Sequence, residues 1–243
     1  MAKGKPNGRE DRFRGGFGDC TAHAVGVCRL HHAPLALAES HELRASTIKS
    51  SMIGLESGRV RLATPSRDAQ RLYAKVKPIL MDRLKGRPVE HVGSTAVKDL
   101  VAKPILDIAV GIHSEADATI VAALLEDIGY RYRGFRSDAG GHVCDWREDQ
   151  LTTQHVHLAI ISSRQWSEYL ILRDYLRCSP AARAQYASTK CRLAARFPGD
   201  RRAYTTAKAD VVRRLVEAAY EQLRLDSPTT IRPRADDLYR LVG

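Results

Sequence analysis

Residues 105–112, ILDIAVGI, alternate in a way that only a β-strand accommodates, with Leu106, Ile108, Val110 and Ile112 on one face and Asp107, Ala109 and Gly111 on the other. A strand with one large apolar face needs a second layer to bury it, so this segment commits the chain to a packed sheet. Its opposite face leaves Asp107 alone among small residues, where a ligand or a metal has room to approach. Just upstream, residues 89–92 read as a short strand and Gly93-Ser94-Thr95 as a tight turn, with Lys103-Pro104 directly ahead of the alternating segment. Glycine allows close backbone approach, and a serine hydroxyl beside free N–H groups suits an anion. Two readings follow for the stretch: a phosphate cradle, or a plain turn with a solvated aspartate.

The rest of the chain builds around that stretch. Residues 1–51 are rich in Gly, Arg, His and Ser and lack sustained apolar periodicity, the composition of disorder. They are expected to be a flexible extension, or to precede a natural start at Met52. Residues 60–63 suit a short edge strand. Ser66 is placed to cap a helix with Leu72, Val76, Ile79, Leu80 and Leu84 on one face, which Pro78 is expected to break or bend. Ser114 caps a cleaner helix with Val121, Leu124, Leu125 and Ile128, stopped by Gly129. Residues 130–135 and 142–146 read as strands joined by a Ser-Asp-Ala-Gly-Gly turn, and 154–161 as a stronger one.

From Ser163 the period becomes helical. One segment carries Trp166, Tyr169, Leu170 and Leu172, a second runs from Ser179-Pro180 to Phe197-Pro198-Gly199, and a third spans about 201–223 with Tyr204, Ala207, Val211, Leu215, Ala218 and Leu223. Strands first and helices last make the class α+β, with a domain at 52–223, a C-terminal helical segment within it and a tail at 224–243. A body of this length buries about 70% of its unfolded surface.

Composition narrows the partner. The net charge is +11, and the first 51 residues hold eight basic against five acidic side chains, so most of the excess lies on the body and favours an anionic ligand. Five cysteines without C-x-x-C spacing argue against a disulfide framework or a zinc ribbon and fit the cytoplasm. No apolar run approaches the roughly 18 residues of a membrane span.

Four segments together resemble the GrpB family: HVGSTAVKDLVAKPILDIAVGI at 91–112, QHVHLAI at 154–160, LRDYLR at 172–177 and YASTKCRLAARFPGDRRAYTTAK at 186–208. The resemblance covers about residues 53–220 and implies a branch of the nucleotidyltransferase superfamily, with a small mixed sheet flanked by helices. In that superfamily a Gly-Ser turn holds nucleotide phosphate, and paired aspartates on the next strand bind magnesium. Gly93, Ser94 and the adjoining Thr95 stand at the turn, and Asp107 at the catalytic carboxylate. Ala109 stands where the second carboxylate belongs. A neighbouring strand of the superfamily supplies a third acid, and here that strand offers His155 and His157. Two imidazoles with Asp107 suit manganese, zinc or iron better than magnesium; a hydrogen-bonded histidine pair is the competing reading.

The family more often shows Arg-Thr-His-His where this chain has Leu-Thr-Thr-Gln at 151–154, so no role is carried over to Gln154. Arg173, Lys190 and Lys208 fall in the family-like segments and, with Lys103, are candidate phosphate contacts; the alternative is a solvated helix face, with Asp174 competing for the cations. Tyr175, Tyr186 and Tyr204 are expected in the core. Cys144 and Asp145 fall near the cleft by sequence order alone, and no base partner marks Cys144 as a nucleophile.

The expected function is therefore a nucleotidyltransferase-like protein. It would bind a nucleotide or other phosphorylated small molecule at Gly93-Ser94, with Mg2+ or Mn2+ at Asp107, and transfer a nucleoside monophosphate. The competing reading is a non-catalytic nucleotide- or CoA-related binding or folding-assistance module, since similar domains look like the extension fused to some dephospho-CoA kinases. Nucleic-acid binding ranks last, without interleaved aromatics or a recognised module.

Overall fold

The computed structural model describes residues 53–63, 67–137 and 140–226. The expectations for residues 1–51, Met52, the Ser66 cap and the tail beyond 226 lie outside them. Six strands and five helices follow in the order β1 (Leu55–Glu56), α1 (Asp68–Arg83), β2 (Val89–Val92), a short 3-10 turn (Ser94–Ala96), β3 (Leu106–Ile112), α2 (Glu115–Glu126), β4 (Arg131–Arg136), β5 (Gly141–Glu148), β6 (Leu151–Ile160), α3 (Arg164–Cys178), α4 (Pro180–Arg196) and α5 (Arg201–Asp226). The strands form one mixed sheet in the order β2-β3-β6-β5-β4, with β1 added to β6. β3 and β6 run parallel, and the other pairs are antiparallel. This is the expected α+β architecture, with helices on both sheet faces.

The alternation in β3 does what it predicts. Leu106, Ile108, Val110 and Ile112 join Val156 and Leu158 of β6 and pack against Leu72, Val76 and Leu80 of α1 and Val121, Ala122 and Leu125 of α2. On the other face, Ala109 and Ala159 lie under Trp166 of α3. A separate cluster ties Leu176, Ala182, Tyr186, Val211 and Leu215 of the last three helices to Val97 and Leu100 in the β2–β3 connection. The helical half thus clamps the turn of interest onto the sheet. None of the described helices is long and apolar enough to cross a membrane.

Several local expectations need correction. α1 runs unbroken through Pro78. An interior proline costs about 3 kcal/mol, but the flanking Val76 and Leu80 are fully buried, each worth about 1.5 to 3 kcal/mol, so packing wins. Residues 60–63 form no strand: Ala63 makes one bridge to Ala102, and the Val60 N–H donates to the carbonyl of Pro198 instead of to the sheet. Ser114 holds the N-cap position but its hydroxyl makes no cap bond; Asp117 accepts from the His113 N–H and from Arg87 in its place. β6 starts at Leu151, three residues early, because Asp149 at φ +52° turns the chain directly from β5 into it. In α5 the buried line is Tyr204, Val211, Leu215 and Ala219, and the predicted Ala207 and Ala218 face outward.

Candidate functional site

Parallel pairing sets Asp107 opposite His155 and Ala109 opposite His157, so the carboxylate and both imidazoles leave the sheet on one face. Oδ1 of Asp107 lies 3.2 Å from Nδ1 of His155 and 3.5 Å from Nε2 of His157. Burial pushes the Asp107 carboxyl up, yet the two histidine hydrogen bonds outweigh it and hold the group well below the usual carboxylate range. The His155 pKa is lowered, chiefly by burial. Arg201, the first residue of α5, reaches Nε2 of His155 at 3.2 Å. A guanidinium only donates, so Nε2 accepts and the imidazole proton sits on Nδ1, facing Asp107. Nδ1 of His157 is buried without a hydrogen-bond partner, and its ring lies 5.5 Å from that of Tyr169.

These three donors also suit one metal ion, which would require the His155 proton to leave Nδ1 for Nε2 and so break the bond from Arg201. Ligand atoms about 2.1 Å from a common ion, at octahedral to tetrahedral angles, stand about 3.0 to 3.4 Å apart, close to the 3.2 and 3.5 Å found here. The three residues are the described His, Cys, Asp or Glu group whose ligand atoms lie within 4.8 Å of one another. Two nitrogens and one carboxylate favour manganese, zinc or iron over magnesium.

The β2–β3 turn closes onto the same carboxylate. Gly93 has φ +69°, and a Cβ there would meet Oδ2 of Asp107 at 2.8 Å. Gly93→Ala is therefore expected to cost about 1 to 3 kcal/mol from the left-handed backbone alone, read as a lowered urea midpoint; an unchanged midpoint would mean that the turn relaxes freely. Three side chains brace the turn. His91 pairs with the Thr95 hydroxyl at 3.0 Å, Gln70 donates to the Thr95 carbonyl and Arg177 to that of Ala96. Burial brings the His91 pKa down to about 4, so this brace stays neutral. The turn's first internal bond is from the Ala96 N–H, which leaves those of Ser94 and Thr95 outside it.

Beyond Asp107 the lysines converge. Lys103 lies 5.6 Å from the Tyr204 ring centre, and burial, with Arg201 and Lys208 beside it, lowers its pKa to about 7. Lys190 is 2% exposed and donates to the Val101 carbonyl, and burial holds its pKa well below the usual lysine value. On the other side, toward the sheet edge, the Asp145 carboxylate is met by Arg131 at 3.1 Å, Arg133 at 3.7 Å and Arg147 at 3.8 Å. One cavity of about 1150 Å3 joins the two sides, with Asp107, His155 and His157 between them.

The family model described as GrpB protein matches residues 59–218. The chain belongs to the GrpB family. It is similar to the glutamate-rich protein GrpB of Alkalihalophilus pseudofirmus, at 34% identity over 66% of this chain and 96% of the relative. A UPF0157 protein of Pseudomonas aeruginosa is 37% identical over 58% of this chain and 59% of its own length. Among solved structures, the conserved protein GrpB from Enterococcus faecalis superposes with a TM-score of 0.60 at 26% identity, covering 67% of this chain and 99% of that one.

The candidate phosphate, metal and catalytic residues of the GrpB-like segments all line this cavity: Gly93, Ser94, Thr95, Lys103, Asp107, His155, His157, Arg173, Lys190 and Lys208. Their circumstances differ. Arg173 donates to both oxygens of Asp174, to Glu90 and to the His91 carbonyl, so the ion-pair alternative describes it better than an open phosphate contact. Ala109 is fully buried between Val92, Ala159 and Trp166, and no carboxylate pair is built on β3. Tyr186 and Tyr204 are buried and Tyr175 packs beside the former, as expected of core residues. Burial raises the Cys144 thiol to about 12, consistent with an unreactive cysteine. Arg201, Tyr169 and the arginines around Asp145 escaped sequence reasoning, whereas Asp145 itself lines the cavity as its sequence order suggests. Arg201 lay within a family-like segment, but nothing in its spacing marked it as the neighbour of His155.

Proposed function

We propose that this GrpB family member binds a nucleotide, or another phosphorylated small molecule, in the cleft, with a divalent ion held by Asp107, His155 and His157, and transfers a nucleoside monophosphate to an acceptor. One observation carries the reading. A single Asp107 oxygen stands within 3.2 and 3.5 Å of two imidazole nitrogens, in a cavity that also collects Lys103, Lys190, Lys208 and Arg201.

Each group has a task in such a reaction. A bound ion would neutralise phosphate charge and polarise the P–O bond. The Ser94 and Thr95 N–H groups and the lysines would hold the phosphates in line, which is most of what phosphoryl chemistry asks of a protein. Lys103, with its pKa near 7, gains a proton most readily when an anion sits beside it. The binding-module alternative is favoured by Ala109, whose burial leaves β3 with one carboxylate instead of two.

A thermal-shift panel of the four common nucleoside triphosphates and CoA, each with Mn2+ or Mg2+, tests the proposal, followed by pyrophosphate release. Metal-dependent stabilisation by a nucleotide is expected, larger with Mn2+. Stabilisation without pyrophosphate release would move the reading to the binding module, and no response to any nucleotide would refute both.

A further inference from the structure

The edge side of the cleft gathers three guanidiniums around one carboxylate, that of Asp145. Strand register puts Asp107, His155, Asp145 and Arg131 in a single row across β3, β6, β5 and β4. Neighbouring strands are about 4.8 Å apart, so Asp145 lies about 10 Å from Asp107, on the side away from β2. Its carboxylate is 8% exposed and faces three guanidiniums. Arg131 takes the hydrogen bonds, at 3.1 and 3.3 Å. Arg133 and Arg147 stand farther off, at 3.7 and 3.8 Å, too far to share them. Both line the cavity, which Arg131 does not. Arg147 also keeps a buried Nε without any hydrogen-bond partner.

We infer that Arg133 and Arg147 form a second anion subsite, which takes a phosphomonoester group on the acceptor molecule. The two guanidiniums carry planar N–H forks matched to phosphate oxygens. The Asp145 carboxylate holds them at the cavity wall and cancels only part of their charge. The subsite lies across Asp107, His155 and His157 from Lys103, Lys190 and Lys208, so a ligand there and one at the lysines would approach the same centre from opposite ends. Only the word acceptor rests on the transferase reading; the subsite itself stands on the arginines.

The test uses O-phosphoserine titrated calorimetrically into the full chain without nucleotide or metal, so that failure of the transferase reading does not affect it. Wild type is expected to take two equivalents. Arg133→Gln should lose one of them, or bind it at least tenfold more weakly, and Arg133→Lys should recover part of the affinity. Lys208→Gln should weaken the other, and the double variant both. The Arg133 side chain is 39% exposed, so its replacement leaves the core intact, and an unchanged melting temperature checks this. Unchanged stoichiometry and affinity in Arg133→Gln, or serine binding as well as phosphoserine, would each overturn the proposal, whereas a single wild-type equivalent that Arg133→Gln abolishes would uphold it and remove only the ligand at the lysines.

Discussion

Asparagine at position 107 is expected to lower Mn2+ affinity by at least about 100-fold and to remove any metal-dependent stabilisation by nucleotide. Loss of an outer partner of a metal ligand typically costs 10- to 100-fold, and this change removes the only anionic donor of the described set. The amide keeps the shape of the carboxylate, so the Gly93 turn, which passes within contact distance of that side chain, stays in place. Manganese binding followed by electron paramagnetic resonance reads the effect directly. Equal affinity in wild type and Asp107→Asn would show that the histidine pair and Asp107 form a hydrogen-bonded cluster and nothing more. The comparison is best made well above the carboxylate range, where Asp107 is ionised in both folded and unfolded chains.

The second large effect runs against intuition. Ala109→Asp restores on paper the carboxylate pair implied by the superfamily resemblance, yet it is expected to destabilise the fold by about 3 to 5 kcal/mol, the scale of an uncompensated buried charge. Ala109 is fully buried among Val92, Ala159 and Trp166, and His157, which lies opposite it on β6, already faces Asp107. Urea unfolding gives the number, and Mg2+ titration gives the second arm. A variant that folds at the wild-type midpoint and gains Mg2+ affinity would show that Trp166 yields the space, and with it a magnesium site latent in β3.

Much of this arrangement was readable from the chain. Period-2 alternation in β3 and in residues 154–161 placed Asp107 on one face of its strand and the two histidines together on theirs, because side-chain direction in a strand is a matter of counting. What counting cannot reach is which strands become neighbours. Asp107 and the histidines meet because β6 docks parallel to β3 with His155 directly opposite Asp107, a register set by the apolar faces packed under α1 and α2. The same limit hid Arg201, brought to His155 by the docking of α5, and the Asp145 cluster, assembled from β4 and β5. Lys190 was readable as a candidate phosphate contact but not as a buried one. Its burial follows from α4 lying against the β2–β3 connection, where the Val101 carbonyl receives it. Pro78 ends no helix for the opposite reason: the local rule for a break was overridden by the buried residues on either side.

The parallel β3–β6 pair also fixes when the site comes into being. Asp107 bonds to partners 48 and 50 residues further along, and α2, β4 and β5 all lie in between. Contacts of such separation must pay for loop closure before they are rewarded, so they form late. During synthesis, β2, the Gly93 turn and β3 leave the ribosome well before β6, and the lysine-bearing helices α4 and α5 follow last. The nascent chain therefore carries the turn and its aspartate through about fifty further residues of synthesis with neither histidine beside them.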